Sequence, residues 1–477
     1  MRYKTGVDKQ QLTLLPVSLD EYVSEAHICR VIYAFTEQLK MGDLGYKHAE
    51  CKSTGCRPYD PRMMLNLYIY GYLHRVRSSR RLRDEAVRNV EVMWLLDGLR
   101  PDDKTISNFR TDNKAALKQT FREFVQMCRT LGLYGGEVEA TDSTKVRANN
   151  ALKNNHNETT VKNALSKIDR KISGYLEALE QADNEEQEEK TPDAEAIREA
   201  LEQLRRRKEK YEELKAQVAE QGEVSTVDEE ARMMRFGGDE RHLSVGYNIQ
   251  TIVDSKYHLI VDFEVTNCAS DSGNLHRMSA KAKEALGVEH IINLADSGYY
   301  NSADIVACEE DGVTCLVAKG RPGGPQKAAG FTHECFVYNR EEDVYTCPGG
   351  DRLEYKRNKK HVSGREYRVY ANYEACGICP CKAECTKGKF REVQRLACQD
   401  TLDVVDERTR SNRELYRKRQ EIAEHPFGTI KAVWGFKQFL CRGKAKVTAE
   451  TALSYLAYNM RRVFNISQET KLKLAFG

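Results

Sequence analysis

Three carboxylates that are far apart in the sequence stand where a site for phosphodiester chemistry would need them. Asp142 closes a strand-like run, Asp296 closes a second, and Glu424 lies in a helical run that leads into His425–Lys431. Two aspartates at strand ends and one helical glutamate can hold two Mg²⁺ or Mn²⁺ ions about 4 Å apart, clamping the attacking and leaving oxygens of a phosphodiester. A single aspartate at a strand end is more often a turn or cap residue. The prediction therefore depends on all three together.

Cysteines in the last third of the chain have the spacing of a second kind of metal site. Cys376 and Cys379 are separated by two residues, Cys385 follows closely, and Cys347 in a Cys-Pro-Gly-Gly knuckle is a plausible fourth ligand. Four thiolates suit tetrahedral Zn²⁺ and leave no open coordination position, so this site is expected to be structural. The alternative is a set of unconnected buried thiols.

The identity of one of the four predicted zinc ligands is open, since it is either Cys385 or Cys381. Cys385 is favoured over Cys381, because Cys381 lies only two residues beyond Cys379 and would crowd the tetrahedron. Cys335 is a weaker substitute. Metal binding is preferred to disulfides for the 15 cysteines, because a chain without a signal peptide is expected in a reducing compartment.

Length and composition limit the class of protein. The 477 residues suggest roughly three or four structural units. With 31% charged residues and a mean hydropathy of −0.65, the chain is expected to be soluble and cytoplasmic. We find no run of about 18 apolar residues and no signal-peptide core, which argues against a membrane location. A net charge of +3 means that any affinity for nucleic acid must come from local basic patches.

Residues 1–135 are predicted to form a helical DNA-binding domain. Asp60-Pro61 gives a helix cap with proline at the first helical position, and another helix is expected to start near Ser79. Two helices joined by a tight basic turn are typical of a helix-turn-helix. The candidate DNA contacts are the arginines of this turn and the following helix, namely Arg77, Arg80, Arg81 and Arg83. A helical bundle with a solvated charged face is the alternative, and charge alone does not decide between them.

Residues 148–242 have the pattern of an inserted helical hairpin. Apolar residues alternate three and four positions apart from Leu165 to Leu179 and again from Ile197 to Val218. The acidic stretch Ala182–Glu189 and Thr191-Pro192 lie between the two runs, so the tip of the hairpin is expected to face water.

From about residue 243 the pattern changes to strands. Tyr247–Asp254 and Leu259–Thr266 predict a hairpin, and a helix, the Asp296 strand, a second helix and the strand Thr314–Lys319 follow. Together with the Asp142 strand the order is βββαβαβ, an α/β fold with an RNase H-like mixed sheet. In that arrangement the first and fourth strands are neighbours, so Asp142 and Asp296 are expected to meet at one sheet edge.

These pieces resemble the DDE-class transposases of bacterial insertion sequences, which have an RNase H-like domain interrupted by insertions and a cysteine-rich segment. The resemblance covers almost the whole chain and rests on Tyr59–Leu65, Thr141–Ser143, Ala295–Tyr299, Cys376–Cys385 and Glu424–Lys431. It implies an RNase H-like catalytic domain of residues 136–147, 243–320 and 401–465, with a zinc-binding insert at 321–400. It also implies a Mg²⁺-dependent enzyme that cuts DNA, joins it to target DNA, binds terminal inverted repeats of double-stranded DNA, and acts as a homodimer or higher oligomer.

The last catalytic helix departs from a signature that relatives often carry, Tyr-x2-Arg-x3-Glu-x6-Lys. Glu424 and Lys431 fit its second half, and Lys431 is expected to contact DNA phosphate. Tyr416 and Arg419 are one position early, so their role as phosphate-positioning groups stays open. Glu421 is the nearest rival of Glu424 for the third carboxylate, and is more plausibly a surface partner of an arginine four residues earlier.

Two other functions remain to be weighed against this one. An RNase H-like nuclease would cleave DNA without strand transfer. A zinc-containing DNA-binding protein that has lost catalysis belongs to another class, and the three carboxylates argue against it.

Overall fold

The computed structural model describes residues 18–50, 57–184, 194–237, 243–320, 331–362 and 364–470 as a mixed α/β fold. Its strands, numbered in chain order, are β1 (Val138–Arg147), β2 (Asn155–Asn157), β3 (Glu223–Ser225), β4 (Arg232–Arg235), β5 (Leu243–Asp254), β6 (Ile260–Thr266), β7 (Ile291–Ala295), β8 (Val313–Val317), β9 (Val337–Asn339), β10 (Val344–Thr346), β11 (Arg352–Lys360), β12 (Glu366–Ala371) and β13 (Glu392–Leu396).

The N-terminal region is helical, as its sequence pattern predicts. Its helices are α1 (Ile28–Glu37), α2 (Pro61–Leu73), α3 (Ser79–Arg88), α4 (Val90–Leu95), α5 (Asp103–Asp112) and α6 (Lys114–Thr130). The Asp60 carboxylate accepts a hydrogen bond from the Arg62 amide and Pro61 opens α2, which confirms the cap. Helix α3 begins at Ser79, where a new helix is expected. The capping box of Ser18 and Glu21 is also present, although it caps a 3-10 turn at Leu19–Tyr22.

The large sheet has the strand order that the sequence predicts. Strand β5 pairs antiparallel with β1 on one side and with β6 and β4 on the other, and β1, β7 and β8 run parallel. Helices α9 (Leu275–Leu286) and α10 (Ser302–Glu310) connect β6, β7 and β8. One expectation is wrong, because Asp142 does not close β1: the strand continues to Arg147, held by its pairing with β5.

The inserted region contains the expected pair of long helices. These are α7 (Glu158–Asn184) and α8 (Ala194–Gln221), which pack against each other. The short ladder of β2 and β3 closes their base, and β4 leads back into the large sheet. The sequence pattern did not predict these three short strands. Most of the acidic tip lies outside the described residues.

The last third contains a second, smaller sheet followed by long helices. Five antiparallel strands lie in the order β13-β12-β11-β10-β9, with α11 (Tyr373–Ile378) and α12 (Lys382–Cys385) beside them. Then follow α13 (Gln399–Ser411), α14 (Arg413–Phe427), a π-helical turn at Gly428–Val433 and α15 (Lys444–Thr470).

One continuous apolar core joins the N-terminal helices to the large sheet. Helix α15 packs against α2 and α6 and against β6. Its buried Tyr455 hydroxyl hydrogen-bonds with the Thr251 hydroxyl at 2.8 Å, and the Asn459 amide bonds both backbone groups of Ile260. Because burial of each large apolar side chain contributes about 1.5–3 kcal/mol, this shared core holds the site-bearing strands firmly.

Candidate active site

Strand register brings Asp142 and Asp296 together. In the parallel pair of β1 and β7, Thr141 is the partner of Ala295, so the next residue on each strand is one of the two aspartates. The pairing of the two parallel strands stops at this register, so Asp142 and Asp296 follow side by side at the carboxyl end of β7, although β1 itself continues to Arg147. The fold therefore brings together two residues that are far apart in the sequence, as the predicted strand order requires.

The electrostatics of Asp142 show that negative charge converges at this edge. The pKa of Asp142 is raised to about 6, first because the carboxyl is buried, and further because the charges of Asp296 and Asp271 lie nearby. A hydrogen bond from the Ser143 amide at 2.7 Å and the Arg419 guanidinium act in the opposite direction. Like charges held this close favour a cation between them.

Asp271, in the loop between β6 and α9, is a third carboxylate that the sequence did not predict. Its Oδ1 accepts hydrogen bonds from the side-chain amides of Asn248 and Gln250, both at 2.8 Å. Both amides come from β5, and the buried Tyr299 hydroxyl donates to the side-chain oxygen Oε1 of Gln250. The four residues form a network that fixes the orientation of the Asp271 carboxylate.

Gly298 explains part of the Asp-Ser-Gly-Tyr motif. Its amide donates to Asp296 Oδ1 at 2.9 Å. A methyl group at position 298 would lie 3.0 Å from Asp296 Oδ1 and 3.7 Å from Asp271 Oδ2, so both carboxylates border the small space above this glycine. The motif therefore supplies the Asp296 carboxylate and the space beside it. Through Tyr299 it also supports the Asp271 carboxylate.

The structure does not join Glu424 to the two aspartates among the contacts of the described residues. Helix α14 packs against β1, β5 and β7, but the Glu424 side chain is on the exposed side and accepts a hydrogen bond from Gln420 at 3.1 Å. Glu421 is also exposed, and its charge acts on His258 and His425, which differs from the expected surface pairing with an arginine.

Arg419 is the residue of α14 whose charge acts on Asp142. Its guanidinium lies 5.8 Å from the centre of the Tyr416 ring, so the two residues whose role the sequence left open are neighbours.

Lys431 is in the π-helical turn, and its ammonium donates to the backbone oxygen of Lys145 at 3.2 Å. Burial lowers the pKa of Lys431. Helix α14 runs through Pro426, and a wider π-helical turn after it carries this lysine.

Arg77 is not part of an exposed basic edge. Its guanidinium lies 3.3 Å from the fully buried carboxylate of Glu450, donates to the backbone of Gln438 and stacks on Phe436 at 4.8 Å. It therefore attaches the α2–α3 turn to the C-terminal region. We expected it to contact DNA, but its partly buried guanidinium is engaged by the buried Glu450 carboxylate instead.

The other three arginines of the predicted set lie at the surface. Arg83 pairs with Asp84 at 2.8 Å and with Asp103 at 3.2 Å, and Arg80 lies 3.9 Å from Asp103. Arg81 is exposed on the same helix. Helix α2, by contrast, is almost fully buried, so α3 is the exposed helix of the pair.

The predicted zinc ligands are in the same region of the small sheet, but no three of their sulfurs all lie within 4.8 Å of one another. The sulfurs of Cys347 and Cys379 would lie 3.6 and 3.7 Å from a methyl group on Gly349. Besides burial, the charges of Cys376, Cys347 and Cys379 raise the pKa of Cys385, while Cys379 and Cys347 act on Cys381. Cys385 is therefore the cysteine on which the charges of all three other predicted ligands act. Cys335 is exposed and hydrogen-bonds with the Thr332 hydroxyl at 3.6 Å.

Within the described ranges, one group of three potential metal ligands has all its ligand atoms within 4.8 Å: His27, Cys29 and Glu91. His27 Nδ1 accepts a hydrogen bond from the Cys29 amide, so in the neutral ring the proton is on Nε2, which faces Glu91 at 3.5 Å. Glu91 also accepts from Tyr70 at 2.7 Å. The group is a helix cap tied to a carboxylate, with no free imidazole lone pair for a metal.

Comparisons with known proteins give two family matches. Residues 17–112 match the model described as a transposase domain (DUF772), and residues 346–464 match a transposase DDE domain. The second match includes the cysteine cluster, Glu424 and Lys431, whereas Asp142 and Asp296 lie between the two matched ranges. No curated protein and no solved structure gives a significant match. Among the described helices, none is both long and apolar enough to cross a membrane.

Proposed function

We propose that the chain is a DDE-class insertion-sequence transposase, since it has two transposase-domain matches, and that the edge of β1 and β7 is its catalytic site. The observation that supports this is the convergence of Asp142, Asp296 and Asp271 at one sheet edge, beside the Arg419 guanidinium. The substrate would be double-stranded DNA, cut at the terminal inverted repeats of the element and joined to target DNA. The large sheet, with its order β6-β5-β1-β7-β8, would then be RNase H-like.

The donor set at this edge suits Mg²⁺ or Mn²⁺. Carboxylate oxygens are the ligands that these ions prefer, and Asp296 Oδ1 and Asp271 Oδ2 border one small space. When bound, the metal supplies Lewis-acid stabilisation of the charge that develops on the phosphodiester. Asp142 and Asp296 would hold it, with Asp271 as a further ligand or its close support.

The remaining residues of the site position the carboxylates and the DNA. The network of Asn248, Gln250 and Tyr299 keeps Asp271 oriented before substrate arrives, which lowers the cost of ordering the site. Arg419 and Lys431 are cations on the helical side of this edge and would hold the phosphate in line for attack.

Glu424 remains the third carboxylate of the proposal, with Glu421 as its rival. What supports Glu424 is the packing of α14 against β1 and β7. Because the Glu424 side chain is exposed and held to Gln420, it would have to leave that hydrogen bond when DNA and metal bind.

Two further parts of the proposal concern regions outside the catalytic edge. Cys347, Cys376, Cys379 and Cys385 would hold one structural Zn²⁺, and Cys385 is preferred to Cys381 because the charges of all three other thiols act on it. The exposed face of α3, with Arg80, Arg81 and Arg83, would contact DNA in a DNA-binding domain of residues 1–135. The other proposed units are the inserted hairpin and the cysteine-rich insert, and the active species would be a homodimer or higher oligomer.

A cleavage assay tests the proposal. The full-length protein is incubated with duplex DNA that contains the element's end, with Mg²⁺, and the ends and joined products are mapped. We expect Asp142→Asn, Asp296→Asn and Glu424→Gln to bind the DNA but lose several orders of magnitude in cleavage rate, because each removes a metal-binding carboxylate. Glu421→Gln is the matched control on the same helix and should stay active.

Each departure from these results has a definite meaning. Near-normal cleavage by Asp142→Asn or Asp296→Asn would overturn the site. Loss with Glu421→Gln but not with Glu424→Gln would transfer the third carboxylate to residue 421. Cut ends without joined products would favour the hydrolytic nuclease over the transposase.

A further inference from the structure

The hairpin of β11 and the first half of β12, residues 352–368, holds an unusual share of the positive charge of the chain. We call it the basic ribbon. It contains seven Lys or Arg residues against two Glu residues, a net charge of +5, whereas the whole chain carries +3. The cations are Arg352, Lys356, Arg357, Lys359, Lys360, Arg365 and Arg368, and the two acids are Glu354 and Glu366.

The geometry of the ribbon leaves this charge accessible. Strand β10 pairs with β11 only at Arg352–Glu354, so within the described part of the chain Tyr355–Lys360 forms a free sheet edge. Leu353 is the one buried residue of β11, and the other eight are exposed. A β-bulge between Tyr355 and Arg357 adds twist to the ribbon, and Val362 in the turn is fully exposed.

Three arginines of the ribbon have acidic partners outside it: Arg357 makes a bidentate pair with Glu392, Arg368 pairs with the half-buried Asp343, and Arg352 pairs with Glu342. Two lysines pair within the ribbon at the protein surface, Lys356 with Glu354 and Lys360 with Glu366. Such surface pairs contribute about 0–1 kcal/mol, so phosphate oxygens can replace the carboxylates at little cost. Lys359 is in no ion pair of the described residues.

Protection of a free edge is the simpler explanation of charge on a strand, because lysine on an edge strand prevents aggregation. That role needs charge only on the edge itself. Here cations continue around the turn at Arg365 and into β12 at Arg368, where Arg368 lies 4.8 Å from the centre of the Tyr355 ring. The charge therefore covers a surface and not only an edge.

The ribbon is attached to the catalytic sheet through α13. Buried Arg395, on β13, pairs with Asp400 and Asp403 at 2.7 and 2.8 Å, which fixes the small sheet to α13. In turn Arg408 of α13 pairs with Glu309 at 2.6 Å and Thr409 accepts from the Val317 amide at the end of β8. The small sheet and the carboxylate edge are thus parts of one continuous framework.

We propose that the basic ribbon binds the sugar–phosphate backbone of duplex DNA, as a contact surface separate from the catalytic edge and from helix α3. The inference rests on the proposed function, since it assumes a DNA substrate. A twisted two-stranded ribbon has the dimensions that the major groove admits, and lysines and arginines on its exposed sides meet the phosphates that border the groove. Contacts of this kind carry little sequence information, so the ribbon holds flanking or target DNA as well as the element's end.

The test compares the salt dependence of duplex binding in the full-length protein. The variant Lys356→Gln, Lys359→Gln, Lys360→Gln is set against the control Lys162→Gln, Lys167→Gln, Lys171→Gln, which removes the same charge from the exposed side of α7. Binding to a short duplex of arbitrary sequence is measured over a range of salt concentrations, without divalent metal. Loss of three phosphate contacts should reduce the slope of log K against log salt by about 2–3, and the control should keep the wild-type slope.

Equal slopes in the ribbon variant and the wild type, with zinc content and circular dichroism unchanged, would overturn the proposal. So would an equal loss in the control, because the effect would then be one of net charge. Failure of the proposed function has a different signature: the wild type would bind the duplex with a ribbon-dependent slope and yet not cleave it in Mg²⁺.

Discussion

The two sheets of this protein are stabilised in different ways. In the large sheet, ten of the twelve residues of β5 and six of the seven of β6 are buried, and the core behind them continues into the N-terminal helices. The small sheet has a core of five buried residues, and β11 is exposed along almost its whole length. Those five residues are Phe336, Tyr345, Leu353, Tyr370 and Val393.

This difference indicates what each sheet can be used for. The large sheet has enough buried apolar surface to hold three like-charged carboxylates at its edge, which is a destabilising arrangement until a cation binds. A unit of fewer than about 70–80 residues with so small a core generally needs a staple such as a structural metal. A zinc ion held by the proposed ligands Cys347, Cys376, Cys379 and Cys385 would meet this need.

Removal of zinc should give the largest difference in stability between the two sheets. We expect Cys376→Ser or Cys379→Ser, or a chelator, to release about one Zn²⁺ per chain and to unfold β9–β13, because metal binding and folding of such a unit are coupled. Hydrogen exchange should show lost protection in β12 and unchanged protection in β5 and β7. Cys335→Ser is the control, since that exposed thiol is outside the predicted ligand set.

The outcome at Cys385 decides the remaining ligand. Zinc lost in Cys385→Ser and kept in Cys381→Ser would support the assignment made here, and the reverse would favour Cys381. Full protection of β12 after zinc is removed would contradict the idea that the small sheet depends on metal.

A change of pH should have a smaller effect, on the stability of the large sheet. Glu139 on β1 is fully buried, and its two carboxylate oxygens have no hydrogen-bond partner among the residues that the structure describes. Burial, together with the charges of Asp254 and Glu137, raises its pKa to about 8. The neutral form is the one that the fold favours. Its stabilising effect is therefore complete below the unfolded pKa near 4.5 and is lost as pH rises toward about 8.

Glu139→Gln should remove this pH dependence. The free energy of unfolding of the variant should fall less than that of the wild type between about pH 5 and 8, by an amount on the order of a few kcal/mol. Denaturant titrations monitored by exchange in β5 and β7 measure it, and the small sheet should not respond. Parallel curves for the two proteins would show that Glu139 is ionised in the folded state or has a partner that compensates its charge.

The sequence predicted the large sheet well because its information is local. Apolar runs bounded by turns gave β5 to β8 and their helices, and strand order then placed Asp142 beside Asp296. Asp271 was missed because it lies in a polar loop where no periodic pattern marks it. Only the pairing of β5 with its neighbours brings the amides of Asn248 and Gln250 to its carboxylate.

Ion pairs between residues far apart in the chain could not be predicted from the sequence. Arg77 is in a run of arginines that is typical of a DNA contact, yet its partner Glu450 is 373 positions away, and only the shared core brings them together. The direction of the Glu424 side chain is likewise set by which face of α14 packs on the sheet, and Ile422, Ala423 and Pro426 take that face. Charge in the sequence is thus a weaker guide than strand register.

Binding of Mn²⁺ to the full-length protein without DNA tests the central claim most directly. It measures metal binding at the carboxylate edge independently of DNA binding and catalysis. Electron paramagnetic resonance or calorimetry should detect Mn²⁺ bound by the wild type and by the control Glu421→Gln. We predict that Asp142→Asn and Asp296→Asn abolish this binding and that Asp271→Asn weakens it. Unchanged Mn²⁺ affinity in Asp142→Asn and Asp296→Asn would contradict the assignment of the metal site to the edge of β1 and β7.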